Sequence, residues 1–285
     1  MSFSLRALYY SLVGGWGGFL AWLFLDCFLH ASADNHYAYV LINGAVVGAF
    51  IGALVLSCEG MVERRATAIL QGLFFGGFCG LLGGMTGVFA GEFLFQTFHR
   101  GAIWRILGWT LFGLGIGLAD GAVTRSRIRA LQGACGGALG GILGGSTFLL
   151  LNKTAGLPMT SRAIGFVLLG LFLGFCIGLV QILLKTAWLK VISSGPQEGK
   201  EFDLSKAVTV IGRNNGFDVR LLNDSSINAR QAEIRQEKEG FVFYNLATDL
   251  PVRINNLAVQ KRTLANNDQI MIGSYTLLFR DKSQT

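Results

Sequence analysis

Five ionisable side chains lie within apolar stretches of the N-terminal two-thirds of the chain: Asp26, Glu59, Glu92, Arg105 and Asp120. Charged groups inside a bilayer are costly, and they usually mark an ion or proton pathway or a local ion pair. All five fall near the ends of their apolar stretches, and none falls at mid-depth. This placement favours charges at headgroup level and local ion pairs, while a transport path stays open as the alternative.

The remaining reactive residue types give no pattern typical of a catalytic or metal site. The chain has three histidines, all in or near loops, and no C-x-x-C spacing. Its five cysteines all lie in apolar segments, where a free thiol behaves as a small hydrophobic side chain: Cys27, Cys58, Cys79, Cys135 and Cys176. Because nucleophile–base pairs and phosphate-binding glycine loops are also lacking, we expect no metal, no cofactor and no enzymatic activity.

These residues are carried by six apolar segments that fill residues 1–190. The chain is 52% hydrophobic and only 14% charged, with a mean hydropathy of +0.50, which is typical of a membrane protein. Each segment is long enough to cross a hydrocarbon core as a helix. The predicted spans are 8–29, 39–58, 66–95, 103–122, 130–151 and 163–185.

The six segments repeat one another. Glu59, Asp120 and Gln181 close the second, fourth and sixth segments at intervals of 61 residues, and Leu70-Gln-Gly recurs at Leu131-Gln-Gly. Helices that repeat at this interval keep the same orientation in the membrane. The sequence therefore predicts an all-α six-helix transmembrane bundle built from three tandem two-helix repeats around a pseudo-threefold axis.

Glycines recur every four residues in all six segments. In lipid no hydrophobic effect pulls helices together, so close backbone contact must do so, and glycine permits it. We therefore interpret the glycines as helix-packing residues in a tight bundle, with a glycine-lined pore as the alternative. The clearest series are Gly76, Gly80 and Gly84 in the third segment and Gly137, Gly141 and Gly145 in the fifth.

The charge distribution predicts the orientation of the bundle. Residues 1–200 carry 13 Lys or Arg and 7 Asp or Glu, against 11 and 10 in residues 201–285, so the basic excess belongs to the membrane region. With six spans both termini lie on one side, and eight of twelve basic residues near the span ends then fall on the side of the termini. The positive-inside rule predicts cytoplasmic N- and C-termini in the cell membrane. We expect no nucleic-acid partner.

From residue 201 the pattern changes to short runs of alternating hydrophobicity, separated by turn residues every 8–12 positions. This spacing predicts an all-β antiparallel sandwich over residues 201–285. Its predicted strands cover 207–211, 231–236, 241–246, 252–254, 269–272 and 276–280. Residues 191–200 read as a linker, and Trp188 and Lys190 before it as residues of the inner membrane interface.

The β region resembles a forkhead-associated (FHA) domain over about residues 197–282. The resemblance is carried by V-I-G-R at 210–213, D-V-R-L at 218–221 and D-Q-I-M-I-G at 268–273. It implies an eleven-stranded sandwich whose apical loops bind phosphothreonine peptides. By position, it implies Arg213, Asn228, Arg230 and Thr248 as the peptide-binding residues.

The implied binding loops depart from the family pattern. The S-R-x-H loop reads Asn228-Ala-Arg-Gln231, and the S-x-N-G turn reads Thr248-Asp-Leu-Pro251. Leu250 cannot hydrogen-bond a peptide backbone, and Asp249 would repel a phosphate. Phosphothreonine recognition and phosphate-independent docking or self-association both stay open. Arg213 has a structural alternative as well, an ion pair with Asp218 or Asp249.

Two functions follow from these patterns. The first is an integral membrane adaptor that displays a cytoplasmic FHA domain to a protein partner, which would be a substrate of a Ser/Thr kinase if phosphate is read. The second is a small channel or transporter formed by the bundle and regulated by the FHA domain. The implied partners are the lipid bilayer, the protein bound by the FHA domain and a second copy of the chain in a homo-oligomer.

Overall fold

The computed structural model describes residues 3–29, 35–63, 65–98, 101–124, 126–154, 158–214, 216–238, 240–247 and 249–282. The chain divides into two units, residues 1–184 and residues 185–285. The first unit is helical and the second is a β-sandwich.

Six long α-helices make up the described part of the first unit, and all six are long and apolar enough to cross a membrane. This confirms the predicted six-helix region. Most of the helices extend past the predicted spans, so Glu59 and Arg129 lie inside helices rather than in connecting loops. The helices are α1 (Phe3–Phe28), α2 (His36–Glu63), α3 (Ala66–Thr97), α4 (Ala102–Thr124), α5 (Arg127–Thr154) and α6 (Pro158–Leu183).

The helices pack in a ring in which each contacts its neighbours in sequence and α6 contacts α1. Backbones approach most closely in the pairs α2–α3, α4–α5 and α6–α1, where glycine faces glycine. A Cβ on Gly80 would overlap the carbonyl oxygen of Gly48, and one on Gly137 that of Gly113. A Cβ on Gly170 would overlap the carbonyl oxygen of Gly14. Bare backbone is what permits these contacts.

The turns from α2 to α3 and from α4 to α5 have the same hydrogen bonds. The N–H of Arg65 donates to the carbonyl oxygen of Gly60 at 2.8 Å, and the N–H of Ser126 donates to that of Gly121 at 3.1 Å. These two turns lie 61 residues apart, at the predicted repeat interval. The three-copy repeat itself stays a prediction.

The described centre of the bundle is apolar at mid-depth. It is filled by fully buried side chains of α2, α4 and α6, of which Ile51, Phe112 and Leu173 are the clearest. The three even-numbered helices carry this core, while α3 and α5 expose large apolar side chains such as Phe74 and Leu131. The glycine faces of the odd helices thus serve contact, and their opposite faces suit lipid.

The second unit contains eleven strands among its described residues, in two sheets. One sheet has the order β2-β1-β11-β10-β7-β8 and the other β4-β3-β5-β6-β9. The predicted sandwich is therefore confirmed. The strands are β1 (Ala187–Val191), β2 (Glu201–Asp203), β3 (Val208–Gly212), β4 (Val219–Arg220), β5 (Ala232–Glu237), β6 (Gly240–Asn245), β7 (Arg253–Ile254), β8 (Leu257–Ala258), β9 (Lys261–Thr263), β10 (Gln269–Ile272) and β11 (Tyr275–Asp281).

The boundary between the units differs from the predicted one. Residues 187–191 are not the end of the membrane region but strand β1, which pairs with β11 on one side and with β2 on the other. Leu189 is fully buried in the sandwich core, while Trp188 and Lys190 alternate to the other face of the strand. The predicted linker over 191–200 is likewise wrong, because it holds the hairpin that joins β1 to β2.

Candidate functional site

Arg213 follows β3 directly and lies beside the loop between β4 and β5. Its N–H donates to the carbonyl oxygen of Asn228 at 3.2 Å, and its Nη1 donates to that of Ser225 at 3.3 Å. Asp218, one of the alternative ion-pair partners, binds Lys206 at 2.7 Å instead. Among the described residues no carboxylate lies within 4.0 Å of the Arg213 guanidinium, which is exposed.

Gln231 joins the loops on either side of the site. It is fully buried, and its Oε1 accepts hydrogen bonds at 3.2 Å from both the backbone N–H and the side-chain amide of Asn228. Its Nε2 lies 3.0 Å from Oδ1 of Asn245 and 3.3 Å from the carbonyl oxygen of Leu250. A primary amide offers both a donor and an acceptor group, so one side chain fixes the β4–β5 and β6–β7 loops together.

The other three implied binding residues have different surroundings. Asn228 is half-buried, and one of its two amide N–H groups is used on Gln231, which leaves the other for a ligand. Arg230 is bound through its Nη2 to Glu233 at 3.0 Å, a carboxylate that Arg235 also contacts, so its guanidinium is engaged in an ion pair. Thr248 lies outside the described residues. The structure therefore brings Arg213 and Asn228 together and commits Arg230 to an ion pair.

The loop before β7 serves the scaffold. Leu250 packs against the hydrophobic core of the sandwich, and its carbonyl oxygen accepts the hydrogen bond from Gln231. Asp249 is exposed. Because the apolar side chain of Leu250 packs against the core, residue 250 provides no side-chain hydrogen bond to a peptide.

Asp224 fastens the β4–β5 loop to the turn between β10 and β11. Its Oδ1 accepts the N–H of Ser226 at 2.9 Å, and its Oδ2 accepts the N–H and hydroxyl of Ser274 at 2.7 and 2.8 Å. Hydrogen bonds from the Ser226 hydroxyl first, and then from Ser274, hold the pKa of this carboxyl far below its usual range. The Tyr275 hydroxyl donates to the carbonyl oxygen of Leu222 in the same loop. The loop beside Arg213 is thus rigidly held.

Several charged residues of the bundle bind partners on other helices. Arg129 binds Glu59 through two hydrogen bonds of 2.6 and 2.8 Å, and Arg105 binds Glu92 at 2.9 Å. The side-chain amide of Gln181 donates to Asp120 at 2.8 Å. Asp120 and Gln181 lie 61 residues apart, which is the predicted repeat interval.

The predicted packing glycines lie in the helix contacts. Gly76, Gly80 and Gly84 of α3 face the carbonyl oxygens of glycines in α2, and Gly137 of α5 faces that of Gly113 in α4. Gly141 and Gly145 differ, because they face the backbone and the ring of Trp109.

Comparison with known proteins finds similarity over the sandwich. A family model described as "Inner membrane component of T3SS, cytoplasmic domain" matches residues 191–283. The glycogen accumulation regulator GarA of Mycobacterium tuberculosis (strain ATCC 25618 / H37Rv) is 33% identical over 91 residues, which are 32% of this chain and 56% of that protein. An oxoglutarate dehydrogenase inhibitor of Corynebacterium jeikeium is 28% identical over 96 residues, 34% of this chain and 66% of the relative.

Two solved structures are similar in fold. One, from a study of phosphothreonine-dependent FHA domain interactions, is 26% identical, covers 33% of this chain and 95% of that chain, and gives a TM-score of 0.30. The other is the cytoplasmic domain of the T3SS sorting platform protein PscD from P. aeruginosa. It is 20% identical, covers 35% of this chain and 83% of that chain, and gives a TM-score of 0.31.

The C-terminal unit is an FHA domain. This confirms the resemblance drawn from the sequence. The chain spans about half the length of the curated relatives it matches first. Within this FHA domain, the site offers one uncompensated guanidinium and one amide beside a rigid loop. A guanidinium fork binds phosphate or carboxylate oxygens through two parallel hydrogen bonds.

Proposed function

We propose that this protein is an adaptor of the inner membrane, anchored by its six-helix bundle, whose FHA domain binds a protein partner. The family matched by residues 191–283 is described as the cytoplasmic domain of an inner membrane component, and FHA domains are binding modules. The basic excess near one set of helix ends supports cytoplasmic N- and C-termini.

The exposed Arg213 guanidinium is the observation that carries the binding site. It stands next to a loop fixed by Asp224 and Gln231, and no described carboxylate neutralises it. Because the loop beside Arg213 is already held in place, it loses little conformational entropy when a peptide binds. We therefore assign it to the phosphate of a phosphothreonine peptide, with Asn228 as the neighbouring amide donor. The partner would then be a substrate of a Ser/Thr kinase.

The test is the binding of the 185–285 fragment to a phosphothreonine peptide library, followed by titration of the best peptide. Arg213→Gln should weaken binding by at least about tenfold, because hydrogen bonds to charged groups contribute roughly 1.5–3 kcal/mol. Lys238→Gln is the matched control, since it removes one exposed positive charge just beyond the other end of β5, away from the site.

The outcomes separate two kinds of docking. Loss of binding on dephosphorylation and in Arg213→Gln, with Lys238→Gln unchanged, supports a phosphothreonine reader. Peptide binding that ignores both the phosphate and Arg213 would make the FHA domain a phosphate-independent docking module. Failure of every peptide to bind would contradict the assignment of Arg213.

A further inference from the structure

A cavity of about 460 Å³ opens among α2, α3, α4, α5 and α6, at the end of the bundle where the even-numbered helices begin. Its volume falls within the range of roughly 300–1,000 Å³ found for small-molecule sites. It is lined by Asn43 and Tyr39 of α2, Glu92 of α3, Arg105 and Trp109 of α4, and Arg162 and Phe166 of α6, among others. Neither the adaptor function proposed above nor the ion pairs between the helices account for this cavity.

The Glu92 carboxylate in the wall of the cavity is already compensated. It is buried, and it binds Arg105 at 2.9 Å, Gln96 at 2.8 Å and His36 at 3.1 Å. Arg105 in turn lies over the ring of Phe95, with its Cζ 3.8 Å from the ring centroid. This network is electrically balanced and offers a ligand little net charge.

Arg162 differs from Arg105. One of its Nη atoms donates to Oδ1 of Asn43 at 3.2 Å, and Asn43 itself is held by a bond from its Nδ2 to the carbonyl oxygen of Tyr39. No carboxylate in the described part of the chain pairs with Arg162. A guanidinium has five N–H groups, and among the described residues only Asn43 accepts a hydrogen bond from one of them.

The rest of the cavity wall is apolar and aromatic. The rings of Trp109 and Phe148 lie 5.4 Å apart, and those of Phe148 and Phe166 are stacked at 5.4 Å. Val47 and Val88 complete this wall. A rigid apolar surface with one available cation recognises a molecule that has one anionic end and an apolar body.

We propose that this cavity binds an anionic amphiphile, with its carboxylate or phosphate on Arg162 and its apolar chain against Trp109 and Phe148. The same chemistry is present in a free fatty acid and in an acidic phospholipid of the bilayer. The site lies within the first few turns of α2 and α6, where a bilayer ligand has its headgroup. It does not depend on the FHA domain or on the peptide-binding function.

The test uses the full-length protein in nanodiscs of phosphatidylcholine, with brominated dodecanoate as the probe, because bromine in the cavity quenches the fluorescence of Trp109. The chain has five tryptophans, so we expect a saturable part of the quenching that disappears in Trp109→Phe, above a non-saturating background from the other four, of which Trp16 is exposed. Arg162→Gln should weaken binding of the probe by about tenfold or more. Asn43→Asp should do the same, because it places a carboxylate on Arg162 and keeps the interhelical contact, so it leaves the fold intact.

Arg127→Gln is the matched control, since Arg127 is an exposed arginine at the start of α5. It should leave the quenching unchanged. A second arm replaces the probe with brominated phosphatidylglycerol or brominated phosphatidylcholine in the bilayer. Stronger quenching by phosphatidylglycerol that depends on Arg162 identifies a bilayer phospholipid as the ligand. Quenching that is the same in Arg162→Gln, Asn43→Asp and the control, for every probe, would overturn the proposal.

Discussion

Strand β1 should be essential to the FHA domain even though it follows the last membrane helix almost directly. Leu189 is fully buried and lies opposite Phe279 of β11 and Phe202 of β2. Truncation of a buried leucine to alanine costs about 2–5 kcal/mol. For a domain of this size each kcal/mol lowers Tm by roughly 4–8 °C. Leu189→Ala should therefore lower the Tm of the 185–285 fragment by about 8–40 °C.

Lys190→Ala is the control in the same strand, because Lys190 is exposed and surface substitutions usually change stability by no more than about 0.5 kcal/mol. Trp188 is the single tryptophan of the fragment, so its fluorescence reports unfolding of this sheet alongside circular dichroism. Removal of residues 185–196 should abolish cooperative unfolding, since Leu189 and Val191 leave the core and the edges of β11 and β2 become unpaired. If the 197–285 fragment unfolds as cooperatively and at the same temperature as the longer one, β1 is not part of the domain.

Two further predictions concern helix packing and the rigid loop. Gly80→Ala should lower the thermal stability of the detergent-solubilised protein, because the added Cβ would overlap the backbone of α2. Gly77→Ala is the control and should leave the stability unchanged, because a Cβ there is no closer than 3.6 Å to a neighbour. Equal stability of the two variants would contradict the packing role of Gly80. Asp224→Asn should lower the Tm of the 185–285 fragment at neutral pH. The pKa of Asp224 in the folded domain lies below its unfolded value of about 3.9, so the Tm difference between the wild type and the variant should narrow as pH falls below about 4. A Tm difference that does not depend on pH would refute the stabilising role of the ionised Asp224 carboxylate.

The sequence predicts the long elements well and the short ones poorly. Six apolar segments are each long enough to be recognised, and all six predicted strands match a strand of the structure, β3, β5, β6, β7, β10 or β11, within one residue at each end. Strands β4 and β8 have two residues each, which is too short for any periodicity to be visible. Strand β1 is long enough, but Trp188 and Lys190 have the composition of an interfacial helix end, so tertiary pairing decides its structure.

The FHA motifs are recognisable because they are structural. A Cβ on Gly212 would overlap the carbonyl oxygen of Ala229, so the loop can cross β3 only at a glycine. Gly273 has a φ of +56° and lies against Asp224, which also requires glycine. Asp268 is buried and accepts hydrogen bonds from Asn255 and from the N–H of Ala265. These positions hold the sandwich together whatever the loops bind.

The binding loops were harder to predict because their roles depend on partners distant in sequence. Gln231 stands where the family pattern has histidine, so the sequence alone suggests that the structural contact of that histidine is lost. In the structure it still joins Asn228 to Asn245, which is fourteen residues away, because an amide can donate and accept as a ring can. Arg230 is equivalent to Arg213 by residue type, yet only the fold shows that Arg230 is paired with Glu233, which also contacts Arg235.

The charges of the bundle weigh against a continuous polar path through its described part. Glu59 and Glu92 lie near the C-terminal ends of the oppositely directed helices α2 and α3, hence at opposite ends of the bundle, and each is paired with an arginine of another helix. Between them, Ile51, Phe112 and Leu173 fill the centre and are fully buried. A permeating ion would have to cross this apolar layer without its hydration shell, which costs at least several kcal/mol. The glycines in the helix contacts let the helices pack closely around this apolar centre. The geometry of the bundle therefore suits a membrane anchor with an amphiphile site at one end better than it suits a channel.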